Sequence, residues 1–236
     1  LPSAYFSPEG DRNLQESIRV ADTPQPSLIS PVVTSPDPAA QPLRLGVMAS
    51  GTGSNFEAIA AKIVAGELAA EIPVLIYNNP EALVRAKAEA RGIPAILHNH
   101  RLSPSREALD EAIVATLREY RVDCVVMAGW MRVVTPVLLA AFPEMVLNIH
   151  PSLLPSFKGL HAVEQALAAG VKIAGCTVHR VIPAVDSGEI LIQAAVPVLP
   201  GDDAASLQAR IHAQEHRIYP QAIALVAQKL QCGSCG

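Results

Sequence analysis

From Leu43 onward, short apolar runs alternate with segments of helical period. Residues 43–49, 72–77, 94–97, 122–128 and 145–147 are the apolar runs, and each reads as a strand. They show little polar alternation, which is the mark of strands covered on both faces, as in a parallel sheet between helix layers. Helices are predicted over about residues 55–65, 81–91, 104–120, 161–169 and 204–229. Gly92 stops the second. Ser103 is the expected cap of the third, with Pro104 at its first position. Pro220 removes a backbone donor from the last and predicts a kink there. Residues 173–182 and 189–199 alternate more regularly, so they are expected to pair antiparallel toward one edge. The pattern as a whole predicts an α/β fold: an open, mostly parallel sheet with an antiparallel edge and helices on both faces.

Composition changes this picture mainly at the ends. Residues 1–42 hold eight of the chain's twenty prolines and show no sustained period, so they are expected to form an extended, poorly ordered segment. Residues 43–231 are expected to form one domain and 232–236 a flexible tail. Half the residues are apolar, which allows a substantial core. A net charge of −4 gives no basic footprint for nucleic acid or an anionic membrane. No apolar run reaches the length needed to span a bilayer. Cys124 and Cys176 fall inside apolar strands and read as small buried hydrophobes. Cys232 and Cys235 form a lone C-x-x-C, which without a second pair or a βαβ context is weak support for redox or metal chemistry. The reduced interior of the cytoplasm is the expected setting.

Three constellations carry chemistry. Asn148 and His150 stand two residues apart at the end of a strand and so project to one face. An amide donor beside an imidazole suits acyl transfer, and the same pair also fits a strand-end cap next to a buried, satisfied histidine. Ser50-Gly51-Thr52-Gly53-Ser54-Asn55 follows a strand and precedes a helix, where backbone N–H groups can cradle a phosphate. This loop lacks the Gly-Lys-Ser/Thr of a P-loop, and Phe56 stands where a dinucleotide fingerprint needs a third glycine, so a terminal monophosphate fits better than ATP or NAD. A tight strand-to-helix turn would look the same. Asp186, in Asp-Ser-Gly between the last two strands, is either a turn residue or a carboxylate placed to favour the charged form of His150. His212-Ala213-Gln214-Glu215-His216 matches the H-x-x-E-H zinc pattern in letters, but little chain follows it to supply a third ligand, and no metal is expected. His98-Asn99-His100 reads as a solvated loop.

Taken in order, Gly51-Thr52-Gly53-Ser54-Asn55, Asn148-Ile149-His150-Pro151-Ser152-Leu153-Leu154-Pro155, Asp186-Ser187-Gly188 and Gln214-Glu215-His216-Arg217-Ile218-Tyr219-Pro220 resemble the folate-dependent phosphoribosylglycinamide formyltransferases of purine biosynthesis. The resemblance covers about residues 43–230. Related formyltransferases and deformylases carry similar Asn-x-His segments. The glycine loop and Phe157-Lys158-Gly159-Leu160-His161 point to the glycinamide ribonucleotide branch. The resemblance implies a doubly wound, Rossmann-like sheet. It also implies transfer of a formyl group from 10-formyltetrahydrofolate, as co-substrate, to the amine of 5'-phosphoribosylglycinamide.

By the same resemblance, Asn148, His150 and Asp186 match the catalytic positions. Gly51, Thr52, Gly53, Ser54, Asn55 and Glu215 match the ribonucleotide-binding ones. Arg106, Met131, Arg132, Val133, Val134 and Asn148, with Ile182, Pro183, Ala184, Val185 and Asp186, match those that hold the formyl folate. Residues 182–185 depart from the family by being less polar. The implied partners are small molecules only, acting on a monomer or a homodimer.

Overall fold

The computed structural model describes residues 28–31 and 41–233. Among these, eight strands form a single sheet: β1 (Leu28–Ser30), β2 (Leu43–Ala49), β3 (Ala70–Tyr77), β4 (Ala95–Leu97), β5 (Cys124–Met127), β6 (Val146–His150), β7 (Ile173–Arg180) and β8 (Ile190–Pro197). Six helices cover it: α1 (Ser54–Val64), α2 (Val84–Ala90), α3 (Arg106–Glu119), α4 (Pro136–Ala141), α5 (Ala162–Ala168) and α6 (Ala204–Gly233). The strand order is β1-β8-β7-β6-β5-β2-β3-β4. Strands β2 to β6 run parallel, while β7, β8 and β1 join antiparallel in succession. The doubly wound sheet with an antiparallel edge is therefore the architecture observed.

Side-chain parity splits the core into two layers. On β2, Leu45, Val47 and Ala49 face one layer with Phe56 and Ile59 of α1 and Ile211 and Tyr219 of α6. Met48 faces the other, with Ile113 and Leu117 of α3 and Leu138 of α4. Because successive strand side chains alternate, an unbroken apolar run was required to fill both layers. Gly46 stands where α3 comes nearest: a Cβ there would lie 2.3 Å from Leu117 Cδ2. The fully buried Tyr219 hydroxyl lies 3.1 Å from both Met127 O and Leu147 O, so its single proton is shared between β5 and β6.

Chain order reverses between β2, whose next neighbours in sequence lie to one side, and β5, which continues to the other. The crevice beyond the carboxyl ends of two such strands is where open α/β sheets bind ligands.

Several boundaries differ from expectation. Residues 28–30, inside the stretch expected to be poorly ordered, pair with Gln193–Ala195 as β1. The cap of α3 is Ser105, whose side chain accepts from Ala108 N, rather than Ser103. Only an extended residue can present its oxygen back to the first turn, and Ser105 has φ −150° and ψ 172°. Helix α4 was not predicted; its signal is Thr135, which caps it, followed by Pro136 at the first turn. Helix α6 continues through Pro220 to Gly233, so Cys232 belongs to its last turn, whereas Cys235 lies outside the described residues.

Candidate active site

Strand β6 ends at the crevice with Asn148 and His150, which share one face, and Ile149 turns to the opposite layer. His150 is buried. Its Nε2 lies 2.8 Å from Phe157 O. A carbonyl can only accept, so this nitrogen carries a proton, and Nδ1 is left facing Asp186 Oδ2 at 3.4 Å. A second proton on the ring would lie between Nδ1 and that carboxylate.

Antiparallel register sets His179 of β7 opposite Asn148. His179 donates from Nδ1 to Arg180 O at 2.8 Å. With the ring neutral its Nε2 accepts from Asn148 Nδ2, 3.2 Å away, and with the ring protonated that nitrogen presents its proton to Asp186 instead. One of the two amide hydrogens of Asn148 is used in this way and the other is not. His179 was missed in the sequence because it sits in an apolar run and looks like a core residue. The signal that could have found it is the pairing itself, since residues opposite on antiparallel strands are neighbours.

Asp186 reaches this pair because the loop after β7 folds back. Its carboxylate accepts from Gly159 N at 2.8 Å and lies 3.6 Å from His179 Nε2. Burial alone would push the carboxyl up. The His179 ring, the Gly159 N–H and the charge of His150 and His179 outweigh burial and hold it below the usual carboxylate value.

The glycine loop stands at the mouth of α1. Gly53 caps that helix with φ 74°, a conformation that a side chain disfavours, and a Cβ there would fall 2.4 Å from Val84 Cγ2. The next two residues enter the helix, and buried Asn55 donates to Glu215 Oε2 at 2.9 Å. Glu215 is itself buried on α6. Burial pushes its carboxyl up, against the opposing bond from Asn55 and the charge of His212 and His150.

A third wall consists of residues 131–134 and 182–185. Met131, Val133, Ile182 and Val185 remain exposed there despite their apolar side chains. All three regions line one cleft of about 510 Å³, within the range of small-molecule sites.

The residues singled out in the sequence line this cleft, with one exception. Arg106 does not: it opens α3 in an exposed stretch, 104–107, and the helix becomes buried only at Leu109. The cleft also gains residues that sequence reasoning missed. His212, one helical turn before Glu215, lines it beside Gln208 and Trp130. Among the described residues no group of His, Cys, Asp or Glu side chains is arranged to hold a metal ion.

The model of the formyl transferase family matches residues 43–223. Phosphoribosylglycinamide formyltransferase of Bacillus subtilis (strain 168) is 40% identical over 180 residues, covering 76% of this chain and 92% of that protein. The trifunctional purine biosynthetic protein adenosine-3 of Homo sapiens is 44% identical over 194 residues, 82% of this chain, but the match spans only 19% of that longer protein. Among solved structures, glycinamide ribonucleotide transformylase 1 from Symbiobacterium toebii superposes with a TM-score of 0.79 at 47% identity, covering 80% of this chain and 89% of that one. Phosphoribosylglycinamide formyltransferase from Bacillus halodurans gives 0.77 at 42% identity, covering 79% and 96%. The chain belongs to the formyl transferase family and, within it, to the phosphoribosylglycinamide formyltransferases.

Proposed function

We propose that this cleft moves a formyl group from 10-formyltetrahydrofolate to the amine of 5'-phosphoribosylglycinamide, giving the formylglycinamide ribonucleotide on the route to IMP. The observation that carries this reading is that Asn148, His150 and Asp186 meet in a single cleft, which they share with a glycine loop and an exposed apolar wall.

In this reading the ribonucleotide phosphate lies on the backbone of Gly51, Thr52, Gly53 and Ser54 at the start of α1. Glu215, held by Asn55, faces the sugar. The flat ring of the folate lies against Met131, Val133, Ile182 and Val185 and bonds to backbone groups, since residues 182–185 carry no charged or amide side chain. Pro183 has no N–H to give, which leaves Ala184 and Val185 as the nearest following donors.

The amine attacks the formyl carbon directly. A new C–N bond forms as the carbonyl electrons move onto oxygen, and the free N–H of Asn148 donates to that oxyanion, joined by His150 when its ring is doubly protonated. Collapse restores the carbonyl and breaks the bond to the folate nitrogen. The proton lost by the amine reaches that nitrogen with assistance from Asp186 and His150. Holding both substrates in one cleft removes the entropic cost of their encounter during the reaction.

A coupled assay for loss of formyl folate, run with and without the ribonucleotide, tests the reading. Loss that requires the ribonucleotide is expected. Equal loss in its absence, with formate released, would make the site a hydrolase. Binding of both ligands without turnover would leave a phosphoribosyl-binding sensor or scaffold.

A further inference from the structure

Ser50 lies at the switch point of the sheet, immediately before the glycine loop. Its N–H donates to Gly129 O at 3.0 Å, and its Oγ accepts from Met131 N at 3.0 Å. The first bond extends the β2–β5 ladder past the last strand residues. The second does not belong to any ladder: it ties a side chain next to Gly51 to the backbone that begins the apolar wall. The far end of that wall is held differently. Thr135 N donates to Asp110 Oδ2 at 2.5 Å, and both residues are buried. Asp110 belongs to α3, which has no bond to the glycine loop among those described. The wall is thus pinned at two points, and only one of them is continuous with the phosphate loop.

We infer that Ser50 is a positioning residue that couples the two substrate subsites. This inference rests on the assignment of those subsites proposed above. A ligand that orders Gly51 to Gly53 also fixes Ser50, and through Oγ it fixes Met131 N and the wall that follows. Coupling of this kind is reciprocal, so the folate strengthens ribonucleotide binding by the same factor. Asp110 shapes the wall without carrying the coupling.

The test uses tetrahydrofolate, which has no formyl group to transfer, as a calorimetric probe titrated with and without saturating glycinamide ribonucleotide. In the wild type the ribonucleotide is expected to tighten tetrahydrofolate binding by about two- to tenfold, the range that one neutral hydrogen bond supplies. Ser50→Ala brings that ratio to about one, and Ser50→Thr, which keeps the oxygen, retains it. Asp110→Asn weakens tetrahydrofolate binding in both titrations and keeps the ratio. A wild-type ratio of one, an unchanged ratio in Ser50→Ala, or loss of the ratio in Ser50→Thr would overturn the role of the hydroxyl. Failure of tetrahydrofolate to bind the wild type at all would overturn the functional reading as well.

Discussion

The Asp186 carboxylate lies 3.4 Å from His150 Nδ1 while its own backbone holds φ 47°, in the left-handed region. That region is uncommon outside glycine, and aspartate is one of the residues that enter it more readily. Here the Gly159 N–H supplies a hydrogen bond, and two imidazoles face the carboxylate, attractive in their protonated form. The loop that delivers Gly159 also places Phe157 O against His150, and its residues 157, 159 and 161 all have positive φ. Two loops that hold Phe157, His161 and Asp186 in the left-handed region therefore fix one carboxylate against one imidazole, and such backbone outliers cluster at functional sites.

Replacement of Asn148 by alanine removes the amide donor and leaves His179 Nε2 without its partner. In steady-state kinetics Asn148→Ala is expected to lower kcat by about 10²–10³, which corresponds to one oxyanion donor. Turnover within a few-fold of wild type would take Asn148 out of the chemistry.

The low-lying Asp186 carboxyl gives acid sensitivity of a defined sign. Folding favours its ionised form, so its contribution to stability is complete above the ordinary carboxylate value of 3.8 and is lost as pH falls through the depressed folded value. Urea unfolding of the wild type and Asp186→Asn should show a stability gap that is widest near neutrality and shrinks below about pH 4. A gap that is constant or grows on acidification would contradict this.

Glu215 has the opposite sign. Burial favours its neutral form, so stability is complete below the ordinary value of 4.5 and declines as pH rises toward the elevated folded value. Glu215→Gln keeps an acceptor for Asn55 and cannot ionise. The variant should therefore gain stability relative to wild type as pH rises above the ordinary value of 4.5. In calorimetry its affinity for the ribonucleotide should fall, because with its oxygen held by Asn55 the glutamine presents an NH2 donor where the second carboxyl oxygen could accept from a sugar hydroxyl. An unchanged affinity would remove Glu215 from that subsite.

At Gly53 the obstacle to a side chain is internal. A methyl would meet Val84, and the φ of 74° adds a cost of about 1–2 kcal/mol for any other residue. Gly53→Ala and Gly53→Val are both expected to shift the loop and lower Tm. Titrations should show ribonucleotide affinity falling more than folate affinity. Equal losses for the two ligands would indicate general damage and not a local role.

Much of this was legible in the sequence, for identifiable reasons. Strands β2 and β5 are apolar throughout because both faces are covered, and the glycine loop is bounded by a strand and a helix whose patterns are plain. The return of Asp186 to His150 was a different matter. Nothing in Asp-Ser-Gly distinguishes a turn from a site, so the pairing stood as one of two readings until the resemblance to a family favoured it. His179 stayed hidden because a histidine inside a strand carries no sign of what lies across from it. His212 was set aside together with the zinc pattern; its spacing to Glu215 puts both on one helix face, and that face lines the cleft. Arg106 shows the converse, a position suggested by resemblance that opens α3 in an exposed stretch and is not among the residues lining the cleft.

Strand β1 lies outside residues 43–223, the span shared with the family, yet it supplies the sheet's outermost backbone ladder beside β8. Trimming the chain to its family-like portion would strip that cover and leave the amides and carbonyls around Ala194 seeking new partners. Such a shortened protein should retain its chemistry but lose solubility, adhering to its own copies along the bared margin. Light scattering of the trimmed and untrimmed chains at matched concentration would reveal the difference.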